Sequence, residues 1–129
     1  MDIRELRIDD RVSHNGDIGK VIEIKTTHVR LMFKDDTSYL YNVNELESIP
    51  LTDELLEKIG FTQVSKYLGD GIDYRFSNDN ECRIWHTLLN NSSYEYNIHT
   101  NESSKTIKYL HQLQHELFDA GVELKIGLL

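Results

Sequence analysis

His111 and His115, four residues apart in the stretch YLHQLQHEL, are the pair in this sequence best spaced to hold a metal ion. On a helix that spacing brings two side chains to one face, as in the H-E-x-x-H motif of zinc peptidases. There the Glu after the first His is the general base. Here Gln112 occupies its place and cannot accept the proton, so the hydrolytic mechanism is lost. A non-hydrolytic centre needs a third ligand, for which His86, His99 and Glu116 are at hand without a recognisable spacing. The plainer reading is a His111 at the margin of an apolar arc and a solvated His115, with no metal and no cofactor.

The other constellations able to do chemistry are weaker. Cys82 and His86 share a strand face, but the strand rise separates them by about 13 Å, too far for a nucleophile and its base. The acidic stretch GDGIDYRFSNDNE lacks the alternating oxygen ligands and central glycine of a calcium loop, and turns account for it. GDIG opens a strand and lacks the G-x-x-x-x-G-K spacing of a phosphate loop. Adjacent carboxylates, Asp9 with Asp10 and Asp35 with Asp36, diverge in direction and suit solvated turns better than acid and base catalysis. No residue is assigned a catalytic role.

Composition narrows the partners. The chain has 129 residues, and 14 Lys and Arg against 22 Asp and Glu give a net charge of -8, so its average field repels polyanions. Residues 1–50 hold 7 basic and 10 acidic residues and residues 51–129 hold 7 and 12, with no basic arm. Bulk nucleic acid is therefore not an expected partner. One cysteine allows no internal disulfide, the opening MDIRELRIDD lacks the apolar core of a signal peptide, and no apolar run suits a membrane span. The expectation is a soluble protein of a reducing cytoplasm.

Those residues need elements to position them. Residues 1–50 read as a run of short strands: Gly16 and Gly19 in a tight polar loop, a strand over 20–25, then HVRLMF with Val29, Leu31 and Phe33 on one face. KDDT supplies a turn, and SYLYNV places Tyr39, Tyr41 and Val43 on a common face. Tyr39 and Tyr41 suit either an aromatic binding platform or packing of the barrel and its neighbour. In residues 51–129, Thr52 caps a short helix over 53–59 that Gly60 ends, with Leu51 and Leu56 as a hydrophobic staple.

Four strand-like runs follow, FTQVSKYL, IDYRFS, CRIWHTLL and YEYNIHT, separated by turn-forming clusters, and predict a four-stranded antiparallel meander. A last helix starts near Ser103 or Ser104 and stops near Gly121, with Ile107, Leu110, Leu113, Leu117 and Phe118 as its apolar arc. The terminal VELKI suits an edge strand. The meander is rich in aromatic residues, and Tyr67, Tyr74, Trp85, Tyr94 and Tyr96 with Arg75 and Arg83 are the candidate ligand-binding set. Together they form an aromatic and cationic recess for a small anion or a partner side chain. The competing reading is ordinary sheet packing.

The order of signals in residues 6–49, DDRV, GDIGKVIEI, VRLMF, an acidic turn and YLYNVNELESI, resembles the SH3-like small β-barrels of the KOW and Tudor kind. The resemblance implies an SH3-like β-barrel over 1–50, and with the helix, meander and helix read for 51–129 the expected fold class is α+β, a barrel followed by an α+β domain. The resemblance also implies binding of nucleic acid, peptides or modified side chains. ELESIPLTDELLEKIGF followed by YLHQLQHELF resembles a set of small uncharacterised bacterial and phage or prophage proteins across residues 6–124. In that pattern Asn commonly follows H-Q-L-Q, so His115 is a departure that weakens a metal pair.

The second resemblance carries no activity, cofactor or catalytic residue and implies a mobile-element setting, in which compact proteins act by stoichiometric binding. The leading expectation is a non-catalytic binding protein of phage or prophage type, a counter-defence factor that blocks a host protein or sequesters a nucleotide-like signal. It is compatible with a homo-oligomer. The alternative is a nucleic-acid-associated barrel with a positive strip of Arg7, Arg11, Lys20 and Arg30. A metal-dependent hydrolase at His111 and His115 comes last.

Overall fold

The computed structural model describes residues 1–66, 71–76, 79–88, 94–100, 104–122 and 127, with positions 63–66, 71–76, 79–83, 85–88 and 94 described by backbone alone. The chain divides into two compact units. One is Met1–Pro50 with Tyr109–His111, and the other is Leu51–Lys108 with Gln112–Leu129.

The first unit is a four-stranded antiparallel sheet in sequence order: β1 (Arg11–His14), β2 (Asp17–Ile24), β3 (His28–Met32) and β4 (Ser38–Asn42). Its first hairpin turns on Asn15 and Gly16 at φ 50° and 87°, the paired positive values that a two-residue turn needs to match strand twist. His14 and Asp17 therefore stand directly opposite each other. Gly19, expected in the loop, is a β2 residue paired with Val12, because the turn closes two residues earlier.

Alternation in β3 holds as expected, with Val29 and Leu31 fully buried. Around them Leu6, Val12, Val21, Val43 and Leu46 complete a core against which Ile3, Phe33 and Tyr41 pack. Each fully buried Val or Leu contributes about 1.5–3 kcal/mol. Asp10, 2% exposed, accepts the Arg7 N–H at 2.8 Å, while Val21 N–H donates to the Asp10 carbonyl, so the leading segment is tied to β2.

The expected closed barrel is not found among the described residues; β1 and β4 are the two edges of the sheet. One bridge, Ser13 to Glu47, with both backbone hydrogen bonds at 2.9 Å, returns the segment after β4 to the edge of β1. Strand alternation specifies faces but not closure, which needs a longer ladder than one residue pair.

In the second unit α1 (Asp53–Lys58) begins where Thr52 Oγ1 accepts the Leu55 N–H at 3.1 Å, and Gly60, at φ 115°, follows it. A five-stranded antiparallel sheet follows in sequence order: β5 (Phe61–Lys66), β6 (Gly71–Phe76), β7 (Asp79–Leu88), β8 (Tyr94–His99) and β9 (Ser104–Ile107). The meander therefore has five strands where four were expected. β-Branched Thr106 and Ile107 extend and pair with β8, Ile107 facing Tyr96 and Lys105 facing Ile98.

The last helix, α2 (Leu110–Asp119), consequently starts later than the serines suggested, with Gln112 Oε1 accepting the Lys108 N–H at 2.8 Å. It ends as expected at Gly121, φ 78°, where Val122 N–H reaches the Leu117 carbonyl and Gly121 N–H the Phe118 carbonyl. Leu110, His111, Leu113, Gln114 and Leu117 are its buried residues. Two arc assignments change: Ile107 belongs to β9, and Phe118 is 78% exposed. One residue advances a helix by about 100°, which takes Phe118 off the face that Leu117 buries. Of VELKI, only Val122 lies within the described residues.

Both helices are tied to the same sheet. Tyr96 Oη donates to Asp53 of α1 at 3.0 Å, and Lys105 Nζ meets Glu116 of α2 at 2.9 Å. Among the described residues no helix is long and apolar enough to cross a membrane.

Candidate functional site

The β3–β4 register sets Tyr39 opposite Leu31 and Tyr41 opposite Val29, so both tyrosines lie on the face of the sheet that holds the first unit's core. Aromatic side chains join the aliphatic ones on that face. The Tyr41 ring stacks on His14 with centroids 4.0 Å apart and planes at 25°. Phe33 meets Tyr41 edge-on at 6.3 Å and Tyr39 at 6.4 Å, and Tyr39 lies 6.3 Å from Tyr41. These separations suit tilted and edge-to-face pairs, which add about 0.5–1.5 kcal/mol each beyond area burial.

The floor of this patch depends on a missing side chain. A Cβ at Gly19 would come within 3.0 Å of Leu31 Cβ and 3.2 Å of Phe33 Cε1, so glycine lets both lie directly over β2. The patch is anchored below and open above, since Phe33 and Tyr41 pack on the core while Tyr39 is 55% exposed. Its electrostatics are acidic. Partial burial, then the Tyr39, Glu45 and Asp17 groups, push the Tyr41 phenol above its ordinary value.

Alternation places Tyr39 and Tyr41 on one face, as found; it does not group His14, Phe33 and Gly19 with them. The signal was present in part: Asn-Gly sets His14 opposite Asp17, and HVRLMF puts Phe33 on the face of Leu31.

The meander set fares differently. Tyr67 lies outside the described residues, and Tyr74, Arg75, Arg83, Trp85 and Tyr94 are placed by backbone only. Register pairs Tyr74 with Ile84, Ile84 with Ile98 and Leu88 with Tyr94, positions that share one parity with Tyr96. Arg75 pairs with Arg83 and Trp85 with Asn97, the alternate parity. The six described residues of the set are thus divided between alternating strand positions rather than gathered at one. Tyr96 is 7% exposed with its hydroxyl on Asp53, and it serves to hold α1 to the sheet.

His111 is 1% exposed and lies parallel to the Tyr109 ring at 5.9 Å, buried rather than at the margin, while His115 is half-buried. Glu116 is taken up by Lys105. Among the described residues no group of three His, Cys, Asp or Glu side chains is placed to hold a metal. The adjacent carboxylates act in turns: Asp35 accepts from Thr37 N–H and Oγ1, which holds its carboxyl below the usual range, and Asp10 accepts from Arg7. Of the expected positive strip, Arg11 stands opposite Lys20, but Arg11 donates to the Asp9 carbonyl at 2.7 Å and Arg30 reaches Glu23 at 3.4 Å. Burial lowers the Arg11 pKa.

Fold and patch together define an α+β protein of mostly antiparallel sheet carrying an aromatic, acid-flanked surface. No family model matches the chain, and neither do curated proteins or solved structures.

Proposed function

We propose that this chain is a non-catalytic binding protein whose recognition surface is the patch of His14, Phe33, Tyr39 and Tyr41. The observation that carries this reading is the 55% exposure of Tyr39 beside Phe33 and Tyr41, which pack on the core, with His14 stacked on Tyr41. Rigid aromatic side chains supply large contact area at low entropic cost, and such anchors dominate binding energy at protein interfaces. The first unit serves as an SH3-like module, a reading supported by its strand order and the Ser13–Glu47 return to β1. The phage or prophage setting and the counter-defence role rest on the sequence resemblance alone. A nucleic-acid module is less well supported, because Arg30 is paired with Glu23 and the net charge is -8.

The test is selection of a displayed random-peptide library on the wild-type chain, followed by binding of the selected peptides to Tyr39→Ala and to the outer-strand control Thr106→Ala. The reading expects peptides that lose affinity for Tyr39→Ala and keep it for the control. Selected peptides that bind both variants as they bind wild type would refute it.

A further inference from the structure

Resting on that reading, we infer that the aromatic patch recognises an arginine side chain presented by a partner protein. The rings offer electron-rich faces, and a cation set over such a face is attracted by the ring quadrupole. The charged side chains around them favour the same sign of partner. Asp17 sits opposite His14, Asp35 and Asp36 follow Phe33 in the next turn, and Lys34 is the one cation of those two turns. The Tyr41 phenol is raised first by partial burial and by Tyr39, and then by Glu45 and Asp17, two carboxylates whose charge reaches the patch. A protein of net charge -8 adds long-range attraction for a basic segment.

The shape of the patch selects between cations. Tyr39 is more than half exposed and the rings lie at mutual angles of 25° to 85°, which makes an open, stepped surface. A compact ammonium is strongly hydrated and gains most when rings enclose it. A planar guanidinium is weakly hydrated, stacks flat on one ring and still directs N–H donors sideways to carboxylates. Asp17, exposed at the start of β2, is the carboxylate placed to accept them.

The experiment titrates the full chain with a blocked peptide of alternating arginine and glycine, and with its counterpart carrying citrulline for arginine, at low and moderate salt. Citrulline keeps the planar shape and loses the charge. The result expected is binding of the arginine peptide, at least about five-fold weaker binding of the citrulline peptide, and a comparable loss with Tyr39→Ala that Tyr39→Phe restores. Asp17→Asn weakens the arginine peptide only.

Equal binding of both peptides, lost in Tyr39→Ala, would overturn the cation and leave the patch as the recognition surface. Arginine binding unchanged by Tyr39→Ala would place the contact elsewhere on the acidic surface and overturn the inference. Absence of binding at low salt would overturn it as well. Thermal unfolding of each variant checks that the fold is retained, which the exposure of Tyr39 and Asp17 favours.

Discussion

Replacing Gly19 by alanine tests whether the aromatic patch is built on the core in the way described. The added Cβ would stand 3.0 Å from Leu31 Cβ, 3.1 Å from Leu31 Cδ1 and 3.2 Å from Phe33 Cε1. Leu31 Cβ is fixed by its own strand, which is hydrogen-bonded on both sides, to β2 and to β4. The ring of Phe33 is the freer neighbour and has to give. Alanine in place of a strand glycine gains about 0.5–1 kcal/mol through the backbone, whereas overpacking a well-filled core costs about 1–3 kcal/mol. The balance is a loss of about 1 kcal/mol, readable as a lower urea midpoint with unchanged m-value. Because the strain is relieved at Phe33, the ring resonances of Phe33 and Tyr41 should shift, and peptides selected on the wild type should bind more weakly.

Gly16→Ala separates this effect from backbone strain. Nothing lies within 4 Å of its Cβ, yet its φ is +87°, so it should lose about 1 kcal/mol while leaving the Phe33 ring where it is. A neutral or stabilising Gly19→Ala with unmoved ring signals would refute the packing argument.

Further outcomes follow from single contacts. Thr52→Ala removes the acceptor for the Leu55 N–H and should cost about 1 kcal/mol in chemical denaturation, with Thr52→Ser near wild type. Tyr96→Phe removes the hydroxyl bound to Asp53 and should cost about 0.5–1.5 kcal/mol without affecting peptide binding. Tyr39→Ala removes the ring pairs with Phe33 and Tyr41 and should cost about 1 kcal/mol in chemical denaturation, leaving the chain folded. The Tyr41 phenol, raised by partial burial and then by Tyr39, Glu45 and Asp17, should ionise later than free tyrosine in an absorbance titration. Its contribution to stability is therefore fully present below pH about 10, the ordinary tyrosine value, and declines as pH rises through the folded value.

Much of the local structure was legible because local chemistry decides it. Thr52 before Asp53 and Glu54 marks a helix start and Gly121 marks a helix end, each through an interaction within a few residues, whereas the loop expected around Gly16 and Gly19 is a tighter hairpin on Asn15 and Gly16. Ser104–Ile107 was not legible. Two serines before Ile107 and Leu110 imitate a capped helix, and only pairing with β8 makes the segment a strand. Barrel closure was not legible for a related reason, since alternation along each strand does not say how far the edges of the sheet are joined, and no closed barrel is found among the described residues.

The candidate site shows the same division. Tyr39 and Tyr41 share a face through a spacing of two, readable in the sequence. His14 joins them by stacking on Tyr41, a contact that no spacing within one strand specifies, and Gly19 matters only once Phe33 lies over it. The meander set was chosen by composition. Composition does not see that Tyr74 and Arg75 alternate along β6, or that Tyr96 is occupied with α1.

The most direct measurement is the affinity of one selected peptide for the wild-type chain and for Tyr39→Ala at equal ionic strength. A recognition surface centred on Tyr39 predicts a loss of about ten-fold, or about 1.4 kcal/mol. Equal affinities, with both chains folded, would contradict it.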